Sequence, residues 1–448
     1  MQFFNTLTRQ KEEFAPIEKD RVNLFVCGPT VYDFPHLGHG KTYAQFDVLA
    51  KALRYIGYNV FYLQNITDID DKILNRAKNL GISWKELAEK YEKIYREDMQ
   101  ALGIDSVNKY ARATLFIPEI IKQIDTLLQK GYAYKIPDGV YFETAKFKSY
   151  GKLSGRTELK ADDAVSRIDE AVGKRGWNDF CLWKAEKPGE PSWESPFGTG
   201  RPGWHIEDTA ITETNFGPQY DIHGGAVDLI FPHHECEIAQ MESTSGLTPL
   251  VRYWVHTGFL NIDSKKMSKS LGNFKTIRSM LESGISPMAF RLWVLMSHYR
   301  SPINFSEEAL RGAETALKRL YGLYLDLGEE LGRVSQKYQG EFKNFLEDDL
   351  DMPRALALLW DLLKEKELPD ADKKATVLDF DKVLGLGFEN LKEANAISIP
   401  EEIKKILDER EQARENKDFK KSDELREKIN SLGYEVKDTP EGQKVSRI

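Results

Sequence analysis

Residues 27–39 read CGPTVYDFPHLGH, and this stretch decides the fold because it joins an apolar run to a helical one. The run that leads into it, 22–27, is apolar enough for a buried strand. The run after it has helical spacing on one face and ends at a glycine: Phe46, Leu49, Ala50, Leu53, Gly57. The pattern predicts a strand-to-helix crossover, where free backbone N–H groups and the helix dipole attract phosphate.

Two histidines lie at this crossover, and a lysine-rich motif, KMSKS, follows far downstream at residues 266–270. His36 and His39 flank Gly38, which lets a nucleotide approach the backbone closely. Lys266 and Lys269 add two cations in a polar segment that can close onto the same phosphates. Each motif alone is more often a solvated surface feature. Together, at the start and end of a region rich in strands and helices, they predict nucleotidyl transfer.

The composition is that of an ordinary globular protein, and its 448 residues suffice for about three domains. No apolar run has membrane-spanning length, and residues 1–14 lack the apolar core of a signal peptide. Three cysteines cannot form a disulfide framework, so we expect a reduced, cytoplasmic protein without a membrane partner. The net charge of −8 argues against a generic polyanion binder, although a local basic track remains compatible with RNA.

Strand and helix signals alternate in the first part of the chain and then give way to helical ones. Apolar strand-like runs lie near 22–27, 58–65, 219–223 and 253–260, which predicts a parallel sheet. The stretch of about 115–200 separates the two pairs of runs and is predicted to be an insertion with its own helix, Ile117–Leu128. Beyond about residue 275 helical periodicity dominates. It extends from Ser306 to the end with breaks at three prolines: Pro353, Pro369, Pro400.

One segment, 221–240, is dense in residues that bind metals. His233, Cys236 and Glu237 are spaced to share one face of a helix that starts behind Pro232, and Cys27 can add a thiolate from the sheet edge. A Cys/His/Glu set with an open position is typical of a catalytic zinc site. The alternative is that Glu237 is a surface charge and Cys236 a small core residue.

The paired motifs HLGH and KMSKS resemble the two nucleotide-binding motifs of class I aminoacyl-tRNA synthetases. Cys27 directly before Gly28-Pro29-Thr30 makes the chain similar to the cysteinyl enzymes, and NITDIDDK at 65–72 and FPHH at 231–234 look like family segments too. The resemblance implies ATP-dependent ligation of L-cysteine to tRNA(Cys) through a cysteinyl-adenylate. It also implies ATP with Mg²⁺ as a substrate and one Zn²⁺ per chain that binds the substrate thiol.

The fold that the resemblance implies is α/β: a Rossmann-like parallel-sheet catalytic domain with an insertion, followed by an all-α C-terminal half. Four parts are expected: a catalytic domain at 1–275, a helical stem-contact region at 276–315, a helical bundle at 316–395 and an anticodon-binding module at 396–448. We expect a monomer.

The resemblance also assigns residues to the substrates. The catalytic residues are His36, His39, Lys266 and Lys269. ATP contacts these four together with Thr30, Gly38 and His223. Cysteine lies among Gly28, Thr67, Trp204 and Asp228, where Trp204 can act as a cation–π partner and Asp228 can pair with the amino group. Packing or a turn is the alternative reading of each.

The implied zinc ligands are Cys27, Asp208, His233 and Glu237. Asp208 departs from the family, which has a second cysteine at this position, although the formal charge of the ligand set is unchanged. Carboxylate is a harder ligand than thiolate, so affinity and thiol selectivity are open. Cys236 is the rival fourth ligand, because it shares the predicted helical face with His233 and Glu237.

The last part of the chain resembles the family's anticodon-binding module. The residues at the positions that read the anticodon are Arg414, Phe419, Asp423, Arg426 and Asp438. Arg and Asp can contact the base edges of a splayed-out loop, and Phe419 can stack on a base. The family's tryptophan near Val445 is absent. A solvent-facing helical hairpin is the alternative, since the acidic and basic residues nearly cancel.

Two other functions compete with this interpretation. A small-molecule cysteine ligase, like the related mycothiol-pathway enzyme, shares the activation chemistry but lacks the segment 396–448. A regulatory paralogue that binds nucleotide or RNA would not need intact HLGH and KMSKS motifs.

Overall fold

The structure is a computed structural model that describes residues 1–156, 173–262, 265–266, 275–391, 400–439 and 442–447. Its helices are α1 (Leu37–Ile56), α2 (Asp71–Leu80), α3 (Trp84–Ala101), α4 (Ile117–Gln129), α5 (Ile206–Phe216), α6 (Glu235–Ser245), α7 (Ile277–Glu282), α8 (Pro287–Leu295), α9 (Glu307–Leu325), α10 (Gln336–Glu347), α11 (Met352–Lys364), α12 (Asp370–Leu384), α13 (Glu401–Glu415) and α14 (Phe419–Ser431). Its strands are β1 (Gln2–Asn5), β2 (Gln10–Glu13), β3 (Arg21–Val26), β4 (Asn59–Ile66), β5 (Lys109–Arg112), β6 (Ala133–Ile136), β7 (Gly139–Phe142), β8 (Phe180–Ala185), β9 (Gly200–Pro202), β10 (Tyr220–Ala226), β11 (Val251–Thr257), β12 (Leu260–Ile262), β13 (Lys265–Lys266), β14 (Ile303–Phe305), β15 (Tyr434–Thr439) and β16 (Gly442–Arg447).

A five-stranded parallel sheet in the order β11-β10-β3-β4-β5 organises the first part of the chain. Its first four strands lie where the apolar runs predicted them, so the predicted parallel α/β sheet is confirmed. The edge strand β5 escaped prediction, because only Ala111 of its four residues is buried and the apolar signal is correspondingly weak. Helix α1 makes the crossover from β3 to β4 and ends at Gly57, whose left-handed backbone closes the helix.

The predicted insertion carries a small antiparallel sheet in the order β6-β7-β8-β9, with α4 packed against it. Helix α4 begins at Ile117, as the sequence predicts. The insertion is tied to the parallel-sheet region by charge, since Lys184 and Arg201 from β8 and β9 both bind Asp71 at the start of α2. The middle of the insertion, 157–172, lies outside the described residues.

Helices dominate beyond residue 306, and the three predicted breaks at prolines are confirmed, because each proline lies at the start of a new helix. Pro353 lies in the first turn of α11, and Pro369 and Pro400 directly precede α12 and α13. Proline is tolerated there because first-turn N–H groups have no partner inside the helix.

The C-terminal part is not all helical, which corrects the expectation of an all-α C-terminal half. Strands β15 and β16 form an antiparallel hairpin that packs with α13 and α14 around Ile406, Leu425, Ile429 and Val436. By its internal contacts the chain divides into two compact units, Met1–Leu386 and Gly387–Ile448. The finer fourfold division stays a prediction.

A buried ion pair fixes the helix that carries the HLGH motif. Asp47 of α1 and Arg291 of α8 are both fully buried, with 2.6 Å between their charged groups. Arg291 also donates to the backbone carbonyls of Leu102, Gly103 and Leu384. One guanidinium thus joins α1, α8 and the ends of α3 and α12.

Candidate active site and metal centre

His36 and His39 form the N-terminal cap of α1. The Nδ1 atom of His36 accepts from the backbone N–H of His39 (3.2 Å), the Nδ1 atom of His39 accepts from that of His36 (3.4 Å), and the rings stack 3.7 Å apart. Since each Nδ1 accepts, each ring carries its proton on Nε2 and presents a donor. Burial, then the charges of His36 and Lys72, lower the pKa of His39 well below its usual value, so it acts as a neutral donor near pH 7.

Described residues on either side of the KMSKS segment contact the first part of α1 or the residues just before it. On the C-terminal side of the segment, Leu37 N–H donates to Lys275 O (3.1 Å) and Ile277 N–H to Pro35 O (3.0 Å). On its N-terminal side, the buried Lys41 donates to Gly258 O at 2.7 Å. Lys266 lies in β13, paired with Asn261 of β12. Its side chain and the whole of Lys269 lie outside the described residues, so their predicted contact with phosphate stays a prediction.

Lys41 is a buried cation that sequence reasoning missed, although it lies two residues beyond His39. Its ammonium group also donates to Gln45 Oε1 (3.0 Å) and Tyr299 O (3.4 Å). Burial lowers its pKa to about 7. The HLGHGK continuation was the available signal, but a lysine on a helix is ordinarily solvent-exposed.

Gly28, Thr30 and Thr67 come together where β3 and β4 end. Gly28 N–H donates to Asn65 Oδ1 at 2.5 Å, and a Cβ on Gly28 would lie 1.7 Å from Asn65 O, so only glycine fits. Thr30 pairs with Thr67 as a parallel bridge that prolongs the two strands. These residues lie at the carboxyl edge of the sheet, where parallel α/β proteins bind ligands.

Glu207 fixes the hydroxyl of Thr67 and is a second residue that the sequence did not reveal. The Thr67 hydroxyl donates to Glu207 Oε2 at 2.7 Å, and both side chains are buried. Burial, then the charge of Asp208, raises the pKa of Glu207 well above its usual value. Thr67 Oγ1 also accepts from Asn65 Nδ2 at 3.4 Å, which leaves one lone pair for an ammonium donor.

The four residues proposed as metal ligands converge in one buried cluster, which we call the first donor set: Cys27, Asp208, His233, Glu237. His233 Nε2 lies 3.0 Å from both Asp208 Oδ2 and Glu237 Oε1. Cys27 Sγ lies 3.5 Å from Asp208 Oδ2 and 3.9 Å from Glu237 Oε1. Donors on a tetrahedral zinc ion, with Zn–S and Zn–N distances of about 2.3 and 2.0 Å, are about 3.3–3.6 Å apart. The spacing therefore fits a zinc-sized ion.

The chemistry of the first donor set also fits a cation. Asp208 Oδ1 is buried and has no hydrogen-bond partner among the described residues. Burial raises the pKa of Asp208 to about 7, and burial together with the charge of Asp208 raises that of Glu237 to about 7 despite His233. Burial, then Glu237 and Asp208, raises the pKa of the Cys27 thiol well above its usual value. A divalent cation offsets this crowding of anionic groups, and its binding would release protons.

Two further histidines point at the same sulfur atom and give a second donor set: Cys27, His223, His234, Glu237. The Nε2 atoms of His223 and His234 lie 3.3 and 3.2 Å from Cys27 Sγ. Burial, chiefly, lowers the pKa of both imidazoles well below the usual value, so both are neutral. His223 was assigned to the ATP site by resemblance. The structure places it fully buried against Cys27, and the ATP contact stays a prediction.

Cys236 does not join either donor set. A helical turn at Ile230–His234 runs directly into α6, and His233 and Glu237 meet as the predicted i, i+4 spacing requires, at 3.0 Å, but Cys236 is turned away from them. Cys236 Sγ lies 3.5 Å from the Tyr150 hydroxyl and packs in the core around α4. Of the two candidates for the fourth position, the structure brings only Asp208 to the cluster.

The remaining residues predicted to contact cysteine lie near this cluster or at the same edge of the sheet. Trp204 is partly exposed and stacks on His233, with 3.9 Å between the ring centroids. Asp228 is exposed in the turn that follows β10. Its predicted pairing with an amino group stays a prediction.

In the C-terminal unit, the residues predicted to read an anticodon are all exposed, and two of them also bind each other. Phe419 is 64 % exposed at the start of α14, and Asp423 and Arg426 are exposed further along the same helix. Arg414 and Asp438 are exposed as well and bind each other at 2.6 Å. The buried Arg410 lies 2.8 Å from Asp438, and its hydrogen bond is the chief cause that holds the pKa of Asp438 below the usual range. Asp438 therefore also braces the hairpin against α13, a role that the sequence did not reveal.

The comparisons with known proteins agree with this architecture. Residues 13–315 match the family described as tRNA synthetases class I (C) catalytic domain, and residues 398–445 match the cysteinyl-tRNA ligase anticodon binding domain. The cysteine–tRNA ligase of Thermococcus gammatolerans is 43 % identical over 477 aligned positions, with 100 % of this chain and 99 % of that protein covered. That of Thermoplasma volcanium is 46 % identical, with 98 % of each chain covered.

Solved structures support the fold. LeuRS of Agrobacterium radiobacter K84, in a ternary complex, has a TM-score of 0.61 at 10 % identity, with 85 % of each chain covered. Methionyl-tRNA synthetase of Mycobacterium tuberculosis has a TM-score of 0.56 at 15 % identity, with 82 % of this chain and 90 % of that chain covered. The sequence relatives, which match over nearly their full length, show the family as well as the fold. The chain belongs to the cysteine–tRNA ligase family of class I aminoacyl-tRNA synthetases.

Proposed function

We propose that this chain attaches L-cysteine to tRNA(Cys) in two steps through a cysteinyl-adenylate. ATP with Mg²⁺ supplies the energy, and a bound zinc ion recognises the thiol of the substrate. The observation that carries the proposal is the convergence of Cys27, Asp208, His233 and Glu237 beside Trp204. A buried donor set that contains a cysteine sulfur, next to a partly exposed aromatic ring, suits a small thiol substrate with an ammonium group.

In the first step, a carboxylate oxygen of cysteine attacks the α-phosphorus of ATP; a C–O–P bond forms and the bond to pyrophosphate breaks. The cap of α1 supports this step, because the two Nε2–H groups and the helix N-terminus favour negative charge on phosphate. We propose that Lys266 and Lys269 neutralise the pyrophosphate, and that Thr30, Gly38 and His223 adjoin the nucleotide. The residues act by positioning and electrostatics.

In the second step, a terminal ribose hydroxyl of the tRNA attacks the carbonyl carbon of the adenylate; an ester forms and AMP leaves. We propose that the amino acid lies beside Gly28, where the backbone of Asn65 leaves no room for a side chain. We propose that Thr67 accepts from the α-ammonium while Glu207 holds its hydroxyl proton, and that Asp228 pairs with the same ammonium.

The first donor set is proposed to hold the zinc ion, which when bound supplies a Lewis-acid site that deprotonates a coordinating thiol and prefers thiolate to hydroxyl. Cys27, Asp208, His233 and Glu237 would hold it, and Trp204 would cover the substrate on the open side. Recognition of the reacting group itself supports discrimination against serine on the order of 10⁴-fold, without editing.

We propose that the C-terminal unit binds the anticodon, with exposed Phe419 stacking on a base and Arg414, Asp423, Arg426 and Asp438 at base edges. The match of 398–445 to the anticodon binding domain supports this over a small-molecule cysteine ligase. No helix in the described parts of the chain is long and apolar enough to cross a membrane. A cytoplasmic monomer remains our proposal.

The proposal is tested by ATP–pyrophosphate exchange with cysteine, serine or no amino acid, with and without a tRNA(Cys) transcript. We expect exchange that requires cysteine and proceeds without tRNA. The matched variants are His39→Ala in the proposed cap and His298→Ala outside it. Exchange should fall in the first by about 10²-fold or more and persist in the second. Equal exchange with serine, or exchange unaffected by His39→Ala, would contradict the assignment.

A further inference from the structure

We propose that the second donor set forms an alternative binding site, which we call the second seat, for one divalent zinc-type ion. Its residues are Cys27, His223, His234 and Glu237. The inference rests on the proposed function only in its choice of zinc as the ion. The two donor sets share Cys27 and Glu237, so one ion at a time occupies them. Each set also has two donors that the other set lacks, which we call its private donors: Asp208 and His233 in the first, His223 and His234 in the second.

The geometry of the second set is as complete as that of the first. The Nε2 atoms of His223 and His234 lie 3.3 and 3.2 Å from Cys27 Sγ, close to the separation of about 3.5 Å expected of sulfur and nitrogen on a tetrahedral zinc ion. Glu237 Oε2 lies 3.4 Å from His223 Nε2, whereas Oε1 of the same carboxylate faces His233. The two oxygens of Glu237 therefore serve different sets.

Outer contacts orient both private imidazoles of the second set. His223 Nδ1 lies 2.6 Å from the Tyr220 hydroxyl, and His234 Nδ1 lies 2.8 Å from His256 Nε2. His256 in turn contacts Thr6 Oγ1 through its Nδ1 atom, at 2.8 Å. Histidines that ligate metals commonly engage their second ring nitrogen in this way, which fixes the ring and leaves one nitrogen for the metal.

Charge favours the second set in a buried place. A divalent ion with three anionic donors, as in the first set, carries a net charge of −1, whereas with one thiolate, one carboxylate and two neutral imidazoles it carries none. All four donors of the second set are at least 95 % buried, and burying net charge is costly. The second set also offers more nitrogen and sulfur, which zinc prefers to hard oxygen donors.

The two seats differ in what an ion there can reach. His233 of the first set stacks on the partly exposed Trp204, whereas His223 of the second set stacks on the buried Trp254, with 4.3 Å between the centroids. An ion in the second seat therefore lies on the buried side of Cys27. It would be retained by the protein but displaced from the proposed cysteine pocket.

The test is cobalt binding by two matched double variants of the full chain. Asp208→Ala with His233→Gln removes the private donors of the first set, and His223→Gln with His234→Gln removes those of the second. Both proteins and the parent are stripped of metal and titrated with Co²⁺. Ion content and the thiolate-to-cobalt absorption band are recorded, and circular dichroism reports folding. None of these readouts needs ATP, cysteine or tRNA, so failure of the proposed function is seen separately.

We expect each folded double variant to retain about one Co²⁺ per chain with its thiolate band, and the quadruple variant to retain less than about a tenth of an equivalent. In the first double variant cysteine-dependent exchange should be lost although the ion is kept. A folded first double variant without Co²⁺ would overturn the second seat. If that double variant does not fold, Asp208→Ala and His233→Gln singly carry the same test, because each opens the first set and leaves the second intact.

Discussion

Replacing Asp47 by asparagine should destabilise the unit of residues 1–386 strongly, because it leaves the fully buried Arg291 without its anionic partner. Asp47 accepts from Arg291 (2.6 Å), Lys51 (2.8 Å) and the hydroxyl of Ser106 (2.6 Å). Removing one partner of a buried ion pair costs about 3–5 kcal/mol, since the remaining charge is uncompensated. Asparagine preserves the shape but turns an N–H donor or a neutral oxygen toward the guanidinium.

The chain offers a matched control in Asp105, which shares Lys51 with Asp47 but whose side chain is 75 % exposed. Asp105→Asn should change the free energy of unfolding by no more than about 0.5 kcal/mol. Urea unfolding followed by far-ultraviolet circular dichroism at neutral pH gives both values. A loss below about 1 kcal/mol for Asp47→Asn would refute the argued role of the ion pair.

The same pair predicts a direction for pH. Burial raises the pKa of Asp47, but Arg291 and then Lys51 outweigh it and hold the pKa below the usual range. The stabilisation by Asp47 is therefore fully present above the pKa of an unfolded aspartate, about 3.9, and is lost as pH falls through the lower folded value. The stability difference between the parent and Asp47→Asn should shrink in acid, and a difference that grows there would contradict this sign.

Three further predictions follow from the site. Glu207→Ala should raise KM for cysteine in the exchange assay by about 10-fold or more while KM for ATP stays unchanged, because the acceptor of the Thr67 hydroxyl proton is removed; an equal rise in both would indicate a general structural defect. Cys236→Ser should keep its zinc and its cysteine-dependent exchange, whereas Asp208→Ala should weaken zinc binding by the first donor set, so that exchange falls although the second donor set retains an ion; the reverse order would favour Cys236 as a ligand. Deleting residues 396–448 should spare cysteine-dependent exchange and reduce tRNA charging severely, and normal charging by the truncated chain would exclude an anticodon role.

The sequence predicted the parts of the fold that depend on apolar runs and on glycines that end helices. The buried strand before Cys27 and the helix that ends at Gly57 were recognisable because apolar spacing and a left-handed glycine are local properties. The edge strand Lys109–Arg112 was not, since an edge strand buries little. The hairpin that ends the chain is largely polar, so its strands carried no apolar alternation strong enough to outweigh the helical signal before them.

For the site, the sequence supplied residue types but not the distances between elements. The family position favoured Asp208 over Cys236 as the fourth ligand, but only the structure shows Asp208 within the cluster and Cys236 turned toward Tyr150. Lys41, Glu207 and Arg410 act through partners distant in the sequence, at positions where lysine, glutamate and arginine usually meet solvent.

The most direct test of the central claim is aminoacylation of a tRNA(Cys) transcript by the purified full-length chain with radiolabelled cysteine or serine. A tRNA(Cys) with a substituted anticodon serves as the control. The account predicts a cysteine ester on tRNA(Cys), serine esterified less by a factor on the order of 10⁴, and much weaker charging of the control transcript. Cysteine-dependent exchange without any charging of tRNA(Cys), or comparable charging with serine, would contradict it.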